Sequence, residues 1–115
     1  MATEYQEYEE ELRYSVLFCT TKDEDEGRKI ARELVEGRLA ACVSIMKGVT
    51  SIFTWKGALD EVQECLLILK TRTELVPELI SRIKALHSYD VPEIIALPIT
   101  EGNPAYLAWI DDVTG

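Results

Sequence analysis

The spacing of apolar residues along the chain changes between the strand period of two and the helix period of about 3.6 residues. Residues 13–20 are rich in aromatic and β-branched side chains and are apolar on both faces, which predicts a central strand. Apolar residues at helical spacing then run from Gly27 to Val35 and predict an amphipathic helix. We expect this helix to begin with a capping box of Thr21 and Glu24 and to end at a left-handed Gly37.

The segment from residue 40 to residue 71 carries no helical period and predicts a long β-hairpin. Polar and apolar side chains alternate from Val49 to Trp55, and a second strand is predicted from Val62 to Lys70. Lys56-Gly57 marks the turn between the two strands, and Lys47-Gly48 predicts a bulge or bend in the first of them.

The length of this hairpin has a consequence for assembly. An arm of about 14 residues at about 3.3 Å per residue reaches roughly 46 Å, whereas a domain of this size has a diameter of roughly 35 Å. We therefore expect the hairpin to project from its own domain. Its apolar residues then predict pairing with another subunit. The alternative is a sharp bend at Gly48 that folds the hairpin back.

The second half of the chain predicts a helix, a strand and a last helix. The helix begins after a capping Thr73, and the strand covers residues 93–100, with Pro98 indicating an edge position. Asn103 and Pro104 start a short helix that runs to Ile110. The resulting order, β-α-β-β-α-β-α, predicts an α+β, ferredoxin-like fold: a four-stranded antiparallel sheet with two helices on one face and an added C-terminal helix. This fold serves many functions and identifies none.

Composition and charge exclude several classes of partner. The 115 residues form one domain, predicted over residues 13–115, after a disordered acidic arm over residues 1–12. The net charge is −9, and the sequence has no basic stripe that could bind nucleic acid. An anionic membrane surface would repel a chain of this charge. The three cysteines are far apart in sequence, and no signal segment or spanning apolar run is present, so we expect a cytoplasmic protein with reduced thiols.

Two residues are candidates for metal chemistry. His87, the only histidine, follows a predicted helix and is a candidate metal ligand or general base; alternatively, it interacts with the last carbonyls of that helix. Cys19 ends the first strand just before a helix N-terminus, which favours a thiolate; alternatively, it packs as a small hydrophobic residue. The residues alone thus indicate one soft-metal pair, Cys19 and His87, and no defined function.

Other candidates are weaker. Asp60, Glu61 and Glu64 are expected to form a solvated acidic face, because the alternation of a strand separates their oxygens. Lys70, Arg72 and Arg38 are candidates for an anion site, although isolated basic residues usually serve solubility. Trp55 and Trp109 are expected to be core or interface anchors.

An ordered set of motifs resembles the CutA family over residues 13–111. The motifs are Leu39-Ala40-Ala41-Cys42-Val43, Ser51-Ile52-Phe53-Thr54-Trp55-Lys56-Gly57, Glu64-Cys65-Leu66-Leu67-Ile68-Leu69-Lys70-Thr71, His87-Ser88-Tyr89-Asp90-Val91-Pro92-Glu93-Ile94 and Tyr106-Leu107-Ala108-Trp109-Ile110. The resemblance implies a homotrimer with hairpins paired between subunits, similar in architecture to the PII signalling proteins. It also implies tolerance to divalent cations, with copper(II) as a ligand, and no enzymatic activity.

The family's copper ligands carry over to this chain in part. The cysteine that ends the first strand corresponds to Cys19, and the second of two adjacent histidines corresponds to His87. The first histidine is replaced by Leu86, and the usual proline before the tyrosine is Ser88. Because copper prefers nitrogen and sulfur ligands, the loss of one imidazole is expected to lower affinity. Two alternatives are a PII-like sensor that binds an anionic metabolite between subunits, near Lys70, Arg72, Tyr89 and Glu93, and a trimeric scaffold.

Overall fold

A computed structural model describes residues 12–115, so the predicted acidic arm lies almost wholly outside the described residues. The order of elements agrees with the sequence prediction, apart from a 3-10 turn at Thr73–Leu75. The elements are β1 (Tyr14–Thr21), α1 (Glu24–Glu36), β2 (Cys42–Trp55), β3 (Ala58–Arg72), α2 (Val76–Leu86), β4 (Ile94–Pro98) and α3 (Pro104–Thr114).

The four strands form one antiparallel sheet in the order β2-β3-β1-β4. β1 is central, as its two apolar faces predict, and β4 lies at the edge, where Pro98 is tolerated. Helices α1 and α2 cover one face of the sheet. The main core cluster between the sheet and these two helices is formed by Leu17, Cys19, Leu67 and Leu69 with Ile30, Leu34, Leu79 and Ile83. The ferredoxin-like α+β prediction is confirmed.

The ends of α1 differ from the prediction. Asp23 is the N-cap, and its carboxylate accepts a hydrogen bond of 2.8 Å from the backbone N–H of Glu26. Thr21 instead donates its hydroxyl to the carbonyl of Asp23 at 2.9 Å. At the other end Gly37 has an ordinary φ of −80°, and Arg38 takes the left-handed conformation with φ 61°. The predicted N-cap at Thr21 is therefore wrong by two residues, whereas Gly37 is the C-cap residue as predicted but lacks the expected left-handed conformation.

Thr73 does not cap α2 either. The residue before the 3-10 turn, Arg72, makes no side-chain capping bond, and the Thr73 hydroxyl lies 2.8 Å from that of Ser15 in β1. Helix α3 begins as predicted, with the Asn103 side chain accepting from the Ala105 N–H at 3.1 Å, and it runs to Thr114 rather than Ile110.

The hairpin contains the predicted bulge and turn. The register of β2 on β3 shifts by one residue between Met46 and Val49, at the left-handed Gly48 (φ 72°). Lys56 and Gly57 both have positive φ, as a two-residue hairpin turn requires. Because one extra residue reverses the alternation, Phe53 and Trp55 lie on the sheet face opposite α1 and α2.

The hairpin also projects, as predicted. Residues 52–61 are all exposed, and the described residues extend over 48 × 32 × 24 Å. The alternative in which the hairpin folds back is therefore not observed among residues 12–115. Trp55 and Trp109 are 52% and 40% exposed, so neither is a core anchor within one chain.

Candidate functional site

Cys19 and His87 meet at one backbone atom. Cys19 lies near the C-terminal end of β1, and His87 is the C-cap residue of α2. The imidazole Nε2 of His87 lies 2.7 Å from the carbonyl oxygen of Thr20, and the Sγ of Cys19 lies 3.7 Å from the same oxygen. The fold thus brings together the two residues that the sequence singled out, although 68 positions separate them in numbering.

The hydrogen bonds of His87 define its tautomer. The backbone N–H of Tyr89 donates to Nδ1 at 3.0 Å, so Nδ1 is an acceptor. Nε2 therefore carries the proton and donates it to the Thr20 carbonyl. Both ring nitrogens are occupied by backbone groups, which agrees with the alternative that His87 is a structural residue at the end of α2.

A carboxylate of α1 holds the loop that carries His87. Glu26 accepts from the backbone N–H of Ser88 at 2.9 Å and from that of Lys22 at 3.2 Å. Burial raises the pKa of Glu26, but hydrogen bonds from the Ser88 side chain and from the backbone of Lys22 and Ser88 outweigh it, so the pKa lies below its usual value. One side chain thereby links the start of α1 to the end of α2.

Tyr89 forms the opposite wall of the site. Its ring lies 4.8 Å from that of His87, centroid to centroid, and its hydroxyl donates to Glu64 Oε2 at 2.8 Å. Burial raises the pKa of Tyr89, and the hydrogen bond to Glu64 raises it further. Glu64 is only 7% exposed, so the predicted solvated acidic face is wrong for this residue, whereas Asp60 and Glu61 are exposed.

The thiol of Cys19 is enclosed and protonated. Its exposed fraction is 0%, and burial raises its pKa to about 12, with the negative charges of Glu93, Glu26 and Glu64 adding to the effect. The predicted helix-terminus thiolate is therefore outweighed by desolvation and by nearby carboxylates. The same carboxylates make the surroundings of Cys19 favourable for a cation.

A groove of about 820 Å³ opens beside the site. Thr20, Glu64 and Tyr89 line it, and the projecting hairpin contributes Phe53 and Trp55 to the lining. Four carboxylate residues line it: Asp60, Glu64, Asp90 and Glu93. The groove therefore suits cationic rather than anionic solutes.

The donor set at Cys19 and His87 meets the needs of a metal ion only in part. Thiolate sulfur and imidazole nitrogen suit copper, so the chemistry of Cys19 and His87 fits. Within residues 12–115, however, no group of three or more His, Cys, Asp or Glu side chains is arranged to hold a metal ion. The pair supplies at most two side-chain ligands, and no imidazole is available from Leu86.

The candidate anion site is not assembled within one chain. Lys70 donates to Ser44 Oγ at 2.9 Å, and Arg72 donates to Thr114 in α3. Lys70 lies six residues along β3 from Glu64, the partner of Tyr89, which is roughly 20 Å at about 3.3 Å per residue. Arg38 donates to the carbonyl of Gly115 at 2.7 Å.

Sequence reasoning missed Glu26 and the Tyr89–Glu64 pair. A weak signal for Glu26 was present, because an Asp three residues before a Glu is a capping arrangement that marks a helix start. No local signal distinguishes Glu64 from the exposed Glu61, because its burial depends on Tyr89, 25 residues further along the chain.

Comparisons with known proteins show which family the chain is similar to. A family model described as CutA1 divalent ion tolerance protein matches residues 15–113. The divalent-cation tolerance protein CutA of Thermus thermophilus is 54% identical over 100 residues, covering 87% of this chain and 97% of that protein. Mouse protein CutA is 46% identical over 100 residues, and there the chain spans 56% of the relative's length.

Solved structures give the same result. The Thermus thermophilus divalent cation tolerance protein superposes with a TM-score of 0.86 at 53% identity, over 89% of this chain and 99% of that one. A structure from Archaeoglobus fulgidus, described as a periplasmic divalent cation tolerance protein CutA, has a TM-score of 0.87 at 37% identity, over 89% and 99% of the two chains. Among the described residues, no helix is long and apolar enough to cross a membrane.

Proposed function

Because the chain belongs to the CutA1 divalent ion tolerance family, we propose that it contributes to tolerance by binding a divalent cation, such as copper(II), at Cys19 and His87. One observation carries this proposal: the sulfur of Cys19 and the Nε2 of His87 both lie against the Thr20 carbonyl oxygen. A sulfur, a nitrogen and a carbonyl oxygen thus converge in one place, and the first two suit copper.

The charge distribution supports a cation at this place. Glu26, Glu64 and Glu93 each raise the pKa of Cys19 through their negative charge, after the larger effect of burial. The same negative potential that disfavours the thiolate would stabilise a cation near the sulfur. The acidic groove that leads to Tyr89 extends this field toward solvent.

The affinity is expected to be modest. A cation at Nε2 competes with the hydrogen bond to Thr20, and a cation at Sγ must displace a proton from a thiol whose pKa is about 12. Both requirements reduce affinity and make it fall with decreasing pH. Water or groups from a neighbouring subunit complete the ligand set in this proposal.

The role we propose is binding rather than catalysis. The family is named for tolerance of divalent ions and not for a reaction. A fully enclosed, protonated Cys19 is a poor nucleophile, because the thiolate is the reactive form.

The proposed assembly is a homotrimer. Ile95 and Leu97 in β4 are 53% and 50% exposed, and Phe53 and Trp55 on the hairpin lie on the same side of the sheet. An apolar surface that runs from β4 to a projecting hairpin is typical of a subunit interface. We infer that two neighbouring copies cover it, and that nucleic acid and membranes are not partners of this acidic chain.

We also propose a cytoplasmic location. Cys19, Cys42 and Cys65 are all free thiols, and thiols persist in reducing compartments. The PII-like alternative, an anionic metabolite at Lys70, Arg72, Tyr89 and Glu93, receives no support from one chain, because Lys70 lies roughly 20 Å along β3 from Glu64, the residue to which Tyr89 donates its hydroxyl. It stays a prediction for a site between subunits.

Calorimetric titration with Cu(II) under anaerobic, reductant-free conditions tests the metal proposal. We expect binding tighter than about 1 mM that is lost in Cys19→Ala and in His87→Ala. Cys65→Ala is the matched control, because Cys65 is also buried on the helix side of the sheet, opposite Thr21 in β1. Binding weaker than this limit would refute the metal proposal, and binding that survives both site substitutions would show that the site lies elsewhere.

A further inference from the structure

The projecting hairpin leaves the domain at one level of the sheet. β3 pairs with β1 as far as Cys65, opposite Thr21, and Glu64 is the first residue of β3 beyond that pairing. β2 has its bulge at the same level, because Val49 pairs with Glu64 directly after the register shift. From Val49 and Glu64 outward, the two strands pair only with each other among the described residues. This level is therefore the joint between the domain and the hairpin.

The backbone of the joint is held only weakly at Gly48. Its φ of 72° is left-handed, and a Cβ placed there would meet no described atom beyond its chain neighbours within 4 Å. The ion pair beside it joins Lys47 Nζ to Glu24 Oε1 at 3.7 Å, and the lysine side chain is exposed. Exposed ion pairs contribute little. Since a bulge also bends the strand that contains it, we expect the hairpin to change direction here unless another contact restrains it.

Tyr89 provides such a contact at the joint. Its hydroxyl donates to Glu64 Oε2 at 2.8 Å, and Glu64 is 7% exposed. A hydrogen bond to a buried carboxylate is stronger than an exposed ion pair, because the acceptor is charged and is screened from water. The Tyr89–Glu64 contact is therefore a firmer restraint on the joint than the Lys47–Glu24 pair.

Tyr89 is itself held by the body of the domain. Its backbone N–H donates to Nδ1 of His87 at 3.0 Å, and the two rings lie 4.8 Å apart. Nε2 of His87 lies 2.7 Å from the carbonyl oxygen of Thr20 in β1. A carboxylate in the first turn of α1 accepts from the backbone of the same loop at 2.9 Å. Residues 87–89 thus connect β1 and α1 to the joint of the hairpin.

We propose that residues 87–89 form a latch that sets the direction of the hairpin, residues 49–64, and so prepares it to pair with neighbouring copies of the chain. This proposal rests on the homotrimer proposed above. An arm held in one direction loses less conformational freedom when it associates, which raises the affinity. An arm that samples several directions binds with an affinity reduced by the fraction in the competent one. His87 then belongs to both the proposed cation site and the latch.

Hydrogen exchange tests the latch within the chain. Tyr89→Phe removes the hydroxyl that binds Glu64 and keeps the ring. We expect it to speed exchange of the backbone amides of residues 49–64 about tenfold, because local opening of the hairpin becomes easier. Mass spectrometry of peptides measures these rates. Amides of β1, which is paired on both sides, are expected to keep their rates. Unchanged rates in the hairpin would overturn the proposal.

Tyr14→Phe is the matched control. Tyr14 also donates its hydroxyl to a carboxylate, that of Asp111 in α3 at 2.6 Å. It lies at the opposite end of the β1–β3 pairing from Cys65, and so away from the joint. This variant is expected to speed exchange in α3 and to leave residues 49–64 unchanged. Faster exchange of the hairpin in both variants would show a general loss of stability and would refute the latch.

Sedimentation over a range of concentrations tests the role of the latch in assembly. We expect Tyr89→Phe to raise the concentration at which the assembly half-dissociates about fivefold, and Tyr14→Phe to leave it unchanged. Faster hairpin exchange without a change in assembly would refute this role. An unsubstituted protein that is a single chain at every concentration would refute the homotrimer, whereas hydrogen exchange would still decide whether the latch exists.

Discussion

The backbone N–H of Ser88 donates a hydrogen bond of 2.9 Å to the carboxylate of Glu26, and this contact fixes the loop that carries His87 against the first turn of α1. The same carboxylate accepts from Lys22, just before the N-cap of that helix. Since the site depends on this one carboxylate, its charge state links the geometry of His87 to pH.

We expect Glu26→Gln to lower the free energy of unfolding by roughly 1 kcal/mol at neutral pH, because a charged acceptor is replaced by a neutral one. The pKa of Glu26 is lowered in the folded protein. Its contribution is therefore present above the ordinary carboxyl pKa of 4.5 and is lost as pH falls through the lower folded-state value. Urea unfolding at about pH 7 and about pH 3.5 measures this difference.

The control for this prediction is Glu36→Gln, at the exposed end of α1. That variant should keep the acid-dependent loss of stability seen in the unsubstituted protein, whereas Glu26→Gln should lack the part due to Glu26. If Glu26→Gln loses as much stability between the two pH values as the unsubstituted protein, the linkage is wrong.

The Tyr89–Glu64 hydrogen bond is expected to contribute to the free energy of unfolding through the interaction of the two groups rather than through either group alone. Tyr89→Phe leaves a buried carboxylate oxygen without its donor, and Glu64→Gln weakens the acceptor. We expect a double-mutant cycle, measured by urea unfolding, to give a coupling energy of about 1–2 kcal/mol. Additive effects of the two substitutions would show that the 2.8 Å contact contributes nothing specific.

The element order was predictable because it depends on local periodicity. The alternation around Phe53, the turn at Lys56-Gly57 and the helical spacing of Ile30 and Leu34 are properties of short segments. Gly48 likewise marked the bulge, because a left-handed residue is needed there. Helix ends were less predictable: Thr21 and Asp23 are both good N-caps, and only the fold decides between them.

The candidate site was predictable only in part. Cys19 and His87 were identified by residue type and by the family resemblance, but their meeting at Thr20 results from the packing of α2 on the sheet. The burial of Glu64 depends on a hydrogen bond from a distant tyrosine. Local sequence patterns contain no information on such long-range contacts.

Packing of the sheet against α1 should dominate the stability of the monomer. Leu67 in β3 is 0% exposed, and its Cδ2 would lie 3.1 Å from a Cβ placed on Gly27, so the helix and the strand are in close contact. We expect Leu67→Ala to cost about 2–5 kcal/mol of unfolding free energy, because it leaves a cavity.

Leu59→Ala is the matched control, a leucine of the same strand that is 78% exposed. Its cost should be below about 0.5 kcal/mol. Both values are obtained from urea unfolding, and comparable losses in the two variants would contradict the proposed location of the core.

The apolar face that continues onto the hairpin leads to a prediction about assembly. Trp55 is 52% exposed and lies on the side of the sheet that carries Ile95 and Leu97. If neighbouring copies cover this face, Trp55→Asp places an unpaired charge in an interface, which is costly. We expect sedimentation to show three associated copies of the 13.0 kDa chain, and Trp55→Asp to shift the equilibrium toward the single chain.

Val35→Asp is the matched control, because it adds the same charge at a 41% exposed residue of α1 and should leave the trimer intact. A trimer that is indifferent to both substitutions would place the interface elsewhere, and a single chain at every concentration would refute the proposed assembly.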